Sequence, residues 1–416
     1  MISKTIKANS TDAIIKEIDK AISDGFKPTL AIVFSSIKQD WKTTSNFLDS
    51  KGIIVFGATT AGEFINGDIE EGSIVLMLLD MNPSYFKLVF LETTTETTLE
   101  DAKRIGYIGK ETFTNPAFII ATGGIFIDGE HIVDGIMQSF GEEATIFGGM
   151  AGDDLIAEKP IVFTNNNHKD NALIALIIDE DKIDIRGIAS CGWKAIGTTK
   201  TVTKSEGNIV YTIDDKPALD MLMKYLGVDI KQEDNKGIVA FMNSWYYPLQ
   251  LERENGDTVI RATRFANNED RSLICTGSVP QGSQIKFSLP PDFDAIETVV
   301  TECASIKDNE HQKADALIMF SCVSRHLSFG ALMKEEIVDP AQARLISIIG
   351  DNVGRLNRMI EDILKLSRKA QTRNDPLKLG SFLEELIEEF VEAQALPPTM
   401  IYLGGIGTHR IWFDPL

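Results

Sequence analysis

Ile53-Ile-Val-Phe-Gly57-Ala-Thr-Thr-Ala-Gly62-Glu63 and Ala144-Thr-Ile-Phe-Gly148-Gly149-Met-Ala-Gly152-Asp153 are two copies of one unit. In each, an apolar strand breaks at glycine and an acidic residue follows the last glycine. Each copy is preceded by an apolar strand, Leu30 to Ser36 or Ala117 to Gly123, and by a helix-like stretch. A third lead-in begins at Ala316-Leu-Ile-Met-Phe-Ser-Cys322-Val-Ser-Arg325-His326, but no Phe-Gly turn follows it.

Working outward from these units, Ile14, Ile15, Ile18 and Ile22 fall at helical spacing behind Ser10 or Thr11 as cap, so residues 10–24 read as a helix. The residues before it read as the helix lead-in. Strands are expected at 29–36, 52–58, 73–80, 86–93, 117–121, 145–149, 160–164, 172–178 and 185–190. Helices fall near 42–50, 98–110 and 130–143. The turn sequence Met81-Asn-Pro-Ser predicts a hairpin between 73–80 and 86–93, and the loop Asn165 to Asn171 predicts another between 160–164 and 172–178. Beyond residue 191, alternating runs at 199–205 and 208–213 flank Glu206-Gly207, and Pro217–Leu226 reads as a short helix. Strands follow at 237–241, 259–265, 272–276 and 285–288, a helix at 292–306, and a closing strand at 321–325. The fold class is α+β: two helix-covered, mixed but antiparallel-rich sheet domains with an internal repeat, then a long helix and a small partial α/β piece.

A net charge of −20 without a local basic region argues against nucleic acid as partner. No apolar run reaches the ~18 residues a membrane helix needs, and the N-terminus lacks a signal core. A cytoplasmic location is expected. Four cysteines, Cys191, Cys275, Cys303 and Cys322, lack metal-ligand spacing and read as reduced, mostly buried thiols.

Candidate ligand-binding residues are Gly57, Gly62, Glu63, Gly148, Gly149, Gly152, Cys322 and Arg325. Glycine in these turns either lets backbone amides approach an anion or serves a plain tight turn. The spacing fits neither a dinucleotide fingerprint nor a phosphate loop. Arg325, just past the apolar run, is suited to gripping a carboxylate or phosphate, or pairs with an internal acidic group. Trp245-Tyr-Tyr-Pro-Leu either walls a pocket or packs a core. His131 and His168 are metal or haem ligands, or simply solvated. The alternative of an enzyme, with Cys322 and His326 acting beside glycine-turn amides, has only adjacency behind it.

With Ile188-Ala-Ser-Cys-Gly-Trp193 and Phe320-Ser-Cys322-Val-Ser-Arg325 added to the two glycine units, residues ~28–337 resemble the FIST family of bacterial sensory domains. Ser324 stands where that family's Cys-x-Gly-Arg has glycine. The resemblance implies intracellular sensing of a small ligand, an amino acid or other small carboxylate, coupled to signal transduction. Some members resemble haem-based nitric oxide sensors; no cofactor is expected here. The domains are then 1–190 (FIST N-like) and 191–337 (FIST C-like), the latter truncated because the family's closing helix and strand are not recognisable after Glu336.

The tail differs in composition: residues 1–337 hold 25 Lys and 7 Arg, residues 338–416 hold 3 Lys and 6 Arg. Asp339-Pro340 opens a helix whose Leu345, Ile349, Val353, Leu356, Ile360 and Ile363 run near heptad spacing, a dimerising helix over 338–372 (core 340–370). Packing of that face onto the body is the alternative. Arg355 to Arg368 resembles the second dimerisation helix of a histidine kinase, and 373–416 resembles the incomplete start of its ATP-binding domain. No histidine lies between His326 and His409, so this two-component-like segment is expected to be inactive in phosphotransfer, and the chain not to be an enzyme.

Overall fold

The structure, a computed structural model, describes residues 1–65, 68–156, 158–226, 238–240, 247–253, 258–291, 294–306, 314–325, 376–378 and 410–412. The first repeat runs β1 (Ile2–Ala8), α1 (Thr11–Ser23), β2 (Leu30–Ser36), α2 (Trp41–Ser50), β3 (Ile54–Thr60), a small hairpin of β4 (Glu63–Ile65) and β5 (Asp68–Glu70), then β6 (Ile74–Asp80). The second runs β7 (Phe86–Glu92), α3 (Thr98–Thr112), β8 (Pro116–Thr122), α4 (Gly129–Phe140), β9 (Thr145–Met150), β10 (Val162–Phe163), β11 (His168–Lys169) and β12 (Ala172–Asp179).

The two repeats make two sheets of the same order. One is β1-β6-β2-β3, extended by β10 and β11; the other is β7-β12-β8-β9. In each the pair joined through a helix is parallel, β2 with β3 and β8 with β9, and the other pairs are antiparallel. The internal repeat therefore covers a whole βαβαββ unit, not just the Phe-Gly turn. Leu30, Ile32, Phe56 and Met77 of one sheet share a core with Ile119, Ala121, Ile174 and Leu176 of the other. The opposite faces pack beneath α1 and α2, around Ile14, Ile18 and Leu48, and beneath α3 and α4, around Ile105, Ile132 and Ile136. The layers are helix, sheet, sheet, helix.

Local chemistry explains the elements. The Ser10 hydroxyl accepts from the Ala13 amide at the start of α1, and Ile14, Ile18 and Ala21 form its buried stripe. β6 and β12 are buried at every position but the last, because each has a helix layer on one side and a sheet on the other.

The C-terminal half is built on a third sheet. β13 (Lys194–Glu206) and β14 (Ile209–Ile213) form the expected hairpin; β15 (Lys216–Pro217), α5 (Ala218–Leu226), β16 (Ile238–Ala240), β17 (Leu249–Glu252), β18 (Thr258–Arg261), β19 (Thr263–Asn267), β20 (Ser272–Cys275), β21 (Gln284–Leu289) and α6 (Asp294–Ser305) follow. The order is β16-β19-β20-β14-β13-β21-β17-β18, with β15 beside β14. Leu219 and Leu222 of α5 join Val202, Leu249, Leu273 and Phe287 in its core. In the tail, β22 (Pro376–Lys378) pairs antiparallel with β23 (Arg410–Trp412). The chain is α+β.

Several expectations are corrected. Ile2–Ala8 is an edge strand, not a helix lead-in. Neither predicted hairpin of the first half forms: β6 and β7 lie in different sheets, as do β10 and β12. β6, buried on both faces, carries no alternation to choose a partner, and a turn at Pro83–Tyr85 carries the chain across the sandwich to β7 instead. Residues 185–190 and the expected closing strand at 321–325 are not strands, nor is the lead-in at 316–320. The 259–265 run divides at Ala262 into β18 and β19, and β17 adds a strand to those expected. The thiols are less buried than expected: Cys191 and Cys322 are exposed, Cys303 is half-buried and only Cys275 is buried, with its thiol pushed up to about 12 by desolvation. The long helix expected at 338–372, His326, Trp245 and Tyr246 lie outside the described residues.

Candidate functional site

In open α/β sheets ligands bind outside the carboxyl ends of parallel strands. Here there are two such ends, one per repeat, and the second glycine unit ties them together. The Ala151 amide donates to the Thr122 carbonyl at the end of β8 (2.8 Å), and the Gly152 amide donates to the Thr59 carbonyl at the end of β3 (2.8 Å). The Thr59 hydroxyl donates back to the Gly152 carbonyl (2.6 Å), and the Asp154 amide donates to the Thr60 carbonyl (3.1 Å). A Cβ on residue 152 would stand 2.8 Å from the Ala61 nitrogen, so only glycine permits this approach. The two glycine units found in sequence are thus in direct contact.

Charge and hydroxyls gather at this junction. Asp153 accepts from the amides of Glu158 (2.7 Å) and Lys159 (2.9 Å). Asp154 accepts from the Ser36 hydroxyl (2.7 Å) and faces the Lys38 ammonium (3.3 Å). The Ile156 amide closes a turn onto the Asp153 carbonyl, with Asp154 (φ 54) and Leu155 (φ 66) both left-handed. A leucine in that conformation is strained, and the carboxylate bonds around it hold the turn. Neither Ser36 nor Asp154 was among the sequence candidates; their signal was weak, a serine at a strand end and one acid of many.

Glu63, the acid closing the first unit, is only 2% exposed. It accepts from the Thr60 hydroxyl, the Ser73 amide (2.9 Å) and the Ser73 hydroxyl (3.1 Å), tying β4 to the start of β6. Desolvation raises its carboxyl above the usual value of 4.5; the Thr60 and Ser73 hydrogen bonds oppose this, and the Asp154 charge adds to it. Because the folded state holds this proton more tightly than the unfolded one, Glu63 contributes most stability below pH 4.5 and loses that contribution as pH rises through its folded pKa. Glu63→Gln keeps the shape without the charge. Urea unfolding of both proteins from pH 4.5 to 7 should show the variant gaining stability relative to the parent as pH rises. A difference that does not vary with pH would refute this.

The other candidates divide. Gly57 faces the ring of Phe163, whose Cε2 lies 2.1 Å from where a Cβ would be, and that ring stacks on Trp41 at 4.5 Å. Gly148 lies against the backbone of Ile120 in β8. Packing thus accounts for both glycines. Gly62 has φ +141 and open space around it. Gly149 adjoins Phe320 from the far end of the chain, which sits edge-on to Phe34 with ring centroids 5.9 Å apart. Arg325 meets no carboxylate among the described residues: its Nη2 donates to the carbonyls of Ser190 and Cys191, the latter at 3.1 Å. Two motifs separated by more than a hundred residues are joined this way. Cys322 is exposed beside it.

Among the described residues, no group of three or more His, Cys, Asp or Glu side chains could hold a metal ion. His168 packs edge-on to Trp41 at 5.4 Å, and His131 stands 4.0 Å from Asp128 at the contact between the halves. That contact is polar: Glu130 at the start of α4 pairs with Arg253 (2.7 Å) and Arg261, Asp128 accepts from the Ser278 hydroxyl (2.5 Å), and Phe126 adjoins Phe265.

Together, the fold and its tied strand ends define a two-part α+β module built on a duplicated unit. The sequence matches the FIST N domain over residues 29–216 and the FIST C domain over residues 218–350, together well over half of the chain. The protein belongs to the FIST family, a sensory family of signal transduction. An uncharacterized protein of Methanocaldococcus jannaschii is 25% identical over 366 residues, covering 80% of this chain and 67% of the relative. The FIST C match runs to residue 350, past the Glu336 to Pro340 boundary read from composition, so the C half is not truncated there. No helix among the described residues is long and apolar enough to cross a membrane.

Proposed function

We propose that this chain senses a small molecule in the crevice where the two repeat units meet. The observation that carries this reading is the Ala151–Asp154 segment, which bonds at once to the carboxyl ends of β8 and β3. A guest that moves one strand end moves the other. The ligand class is an amino acid or other small carboxylate. Hydroxyls of Ser36 and Thr60 and the acids Asp153 and Asp154 suit its ammonium or hydroxyl groups. Arg325, whose Nε and Nη1 make no hydrogen bond among the described residues, suits its carboxylate. Gly57, Gly148 and Gly152 act by letting the strands approach, Gly149 by seating Phe320, Gly62 by leaving the backbone open, and Cys322 by lying beside Arg325.

The segment after the FIST C match is the output side in this reading. Arg355 to Arg368 resembles a kinase dimerisation helix and suits a homodimer contact. The pairing of Pro376–Lys378 with Arg410–Trp412 is compatible with the strand and hairpin at the start of a kinase ATP-binding domain. In this reading the segment relays its signal by contact. The module works in the cytoplasm.

The test is thermal unfolding of the full chain against the amino acids and small dicarboxylates. A binder present at 100 times its Kd adds about 2.7 kcal/mol to the native state and raises the melting temperature. Arg325→Ala should abolish that rise for carboxylates while leaving the unliganded melt within a few degrees. If no member of the panel shifts the parent, the reading fails.

A further inference from the structure

We infer that residues 314–325 form a detachable strap, through which the C half reaches back and completes the core of the N half. The sequence presents this stretch as the lead-in of a third repeat, but it forms no strand. Ala316, Ile318 and Phe320 point inward and pack on the core between the two sheets, while Leu317 and Met319 face outward at 42% and 43% exposure. The alternation is that of an extended chain lying in a seam.

The way it is held differs from everything around it. β2, β8 and β12 are fixed by ladders on both sides. The strap is fixed at its ends and by one plug. Near its start, the Asp315 carbonyl accepts from the Ser3 hydroxyl, and the Asp315 carboxylate lies 3.8 Å from the Met1 ammonium. At its end, Arg325 donates to the Ser190 and Cys191 carbonyls. Between them, Phe320 fills the space left by Gly149, 3.2 Å from where a Cβ on that residue would be, and touches Phe34. Its inward residues are half-buried, whereas the sheet residues Ile174 and Leu176 in the same core are fully buried. A segment with few buried contacts and no ladder opens at lower free energy than the fold beneath it.

The position gives the opening a consequence. Gly149 lies two residues before Ala151, which with Gly152 and Asp154 ties the ends of β8 and β3. Seating and release of Phe320 therefore connect that tie to the strap contributed by the C half. That consequence rests on the sensing reading above; the detachability of the strap does not.

The experiment needs no ligand. In the full chain with isoleucine methyls labelled, the Ile318 methyl is followed by NMR alongside Ile14, Ile18, Ile132 and Ile136, which are buried under the two helix layers. Phe320→Ala should move the Ile318 signal to the random-coil position and leave the other four in place. Phe320→Leu, a smaller plug, should place it between. An Ile318 signal that stays at its parent position in Phe320→Ala overturns the proposal. So does joint collapse of all five signals in either variant, because the strap would then be integral core. A failed ligand screen with this pattern intact would sink the sensing reading and leave the strap standing.

Discussion

Gly148→Ala is expected to lose about 3 kcal/mol of stability or more, the largest effect of any methyl addition in the second glycine unit. A Cβ at residue 148 would stand 2.0 Å from the Ile120 carbonyl oxygen, 2.9 Å from its carbon and 3.1 Å from its nitrogen. These are backbone atoms of β8, the strand between β9 and β12 in its sheet, so no side-chain rotation relieves the clash. Overpacking a filled core costs about 1–3 kcal/mol when side chains can shift, and more when the backbone must. Gly149→Ala is the internal control. Its Cβ would meet only the Phe320 side chain, at 3.2 Å and beyond, and the cost should stay below about 1 kcal/mol. Urea midpoints of the two variants decide the matter. Equal losses would mean that β9 and β8 do not approach as closely as described.

Glu130→Ala is expected to uncouple the two halves, at a cost of about 3 kcal/mol. Glu130 receives Arg253 on one oxygen and Arg261 on the other. Arg261 is 8% exposed and also donates its Nε to the Ser278 carbonyl at 2.8 Å, so it cannot swing out to water without breaking a second contact. Removing the carboxylate leaves a buried guanidinium uncompensated, and breaking such a pair costs about 3–5 kcal/mol when both partners are fully buried. The 20% exposure of Glu130 places the effect at the lower end. Arg253→Ala should cost less than about 1 kcal/mol, since its side chain is 44% exposed and its share of the clamp is screened by salt. Calorimetry should show the single transition of the parent broaden or split in Glu130→Ala. A variant that melts like the parent would show that the halves are held together elsewhere.

Clamp and strap grip the N half at separate places, one at the start of α4 and one along the seam beside β9. The C half is therefore not a bead on a string.

Local order was legible in the chain wherever its cause was local. The Ser10 cap and the Ile14, Ile18 spacing mark α1 because capping and amphipathic stripes act within a few residues. The turn at Glu206-Gly207 marks the β13–β14 hairpin, whose half-buried strands alternate. The paired Phe-Gly turns announced the duplication; the α+β class holds although the two hairpins that suggested it do not form. Partners were a different matter. β6 is buried on both faces, so its apolar run fits any neighbour; β7 is an edge strand with Lys87 and Glu92 exposed, and only assembly of the sandwich sends one to each sheet. The contacts of Arg325 with Ser190 and Cys191, of Phe320 with Gly149 and of Arg261 with Glu130 each join residues more than a hundred positions apart. No periodicity or spacing reaches that far. Which guanidinium meets a carboxylate and which meets a carbonyl is settled by where two sheets and a returning segment come to rest, and short-range preferences carry no record of it.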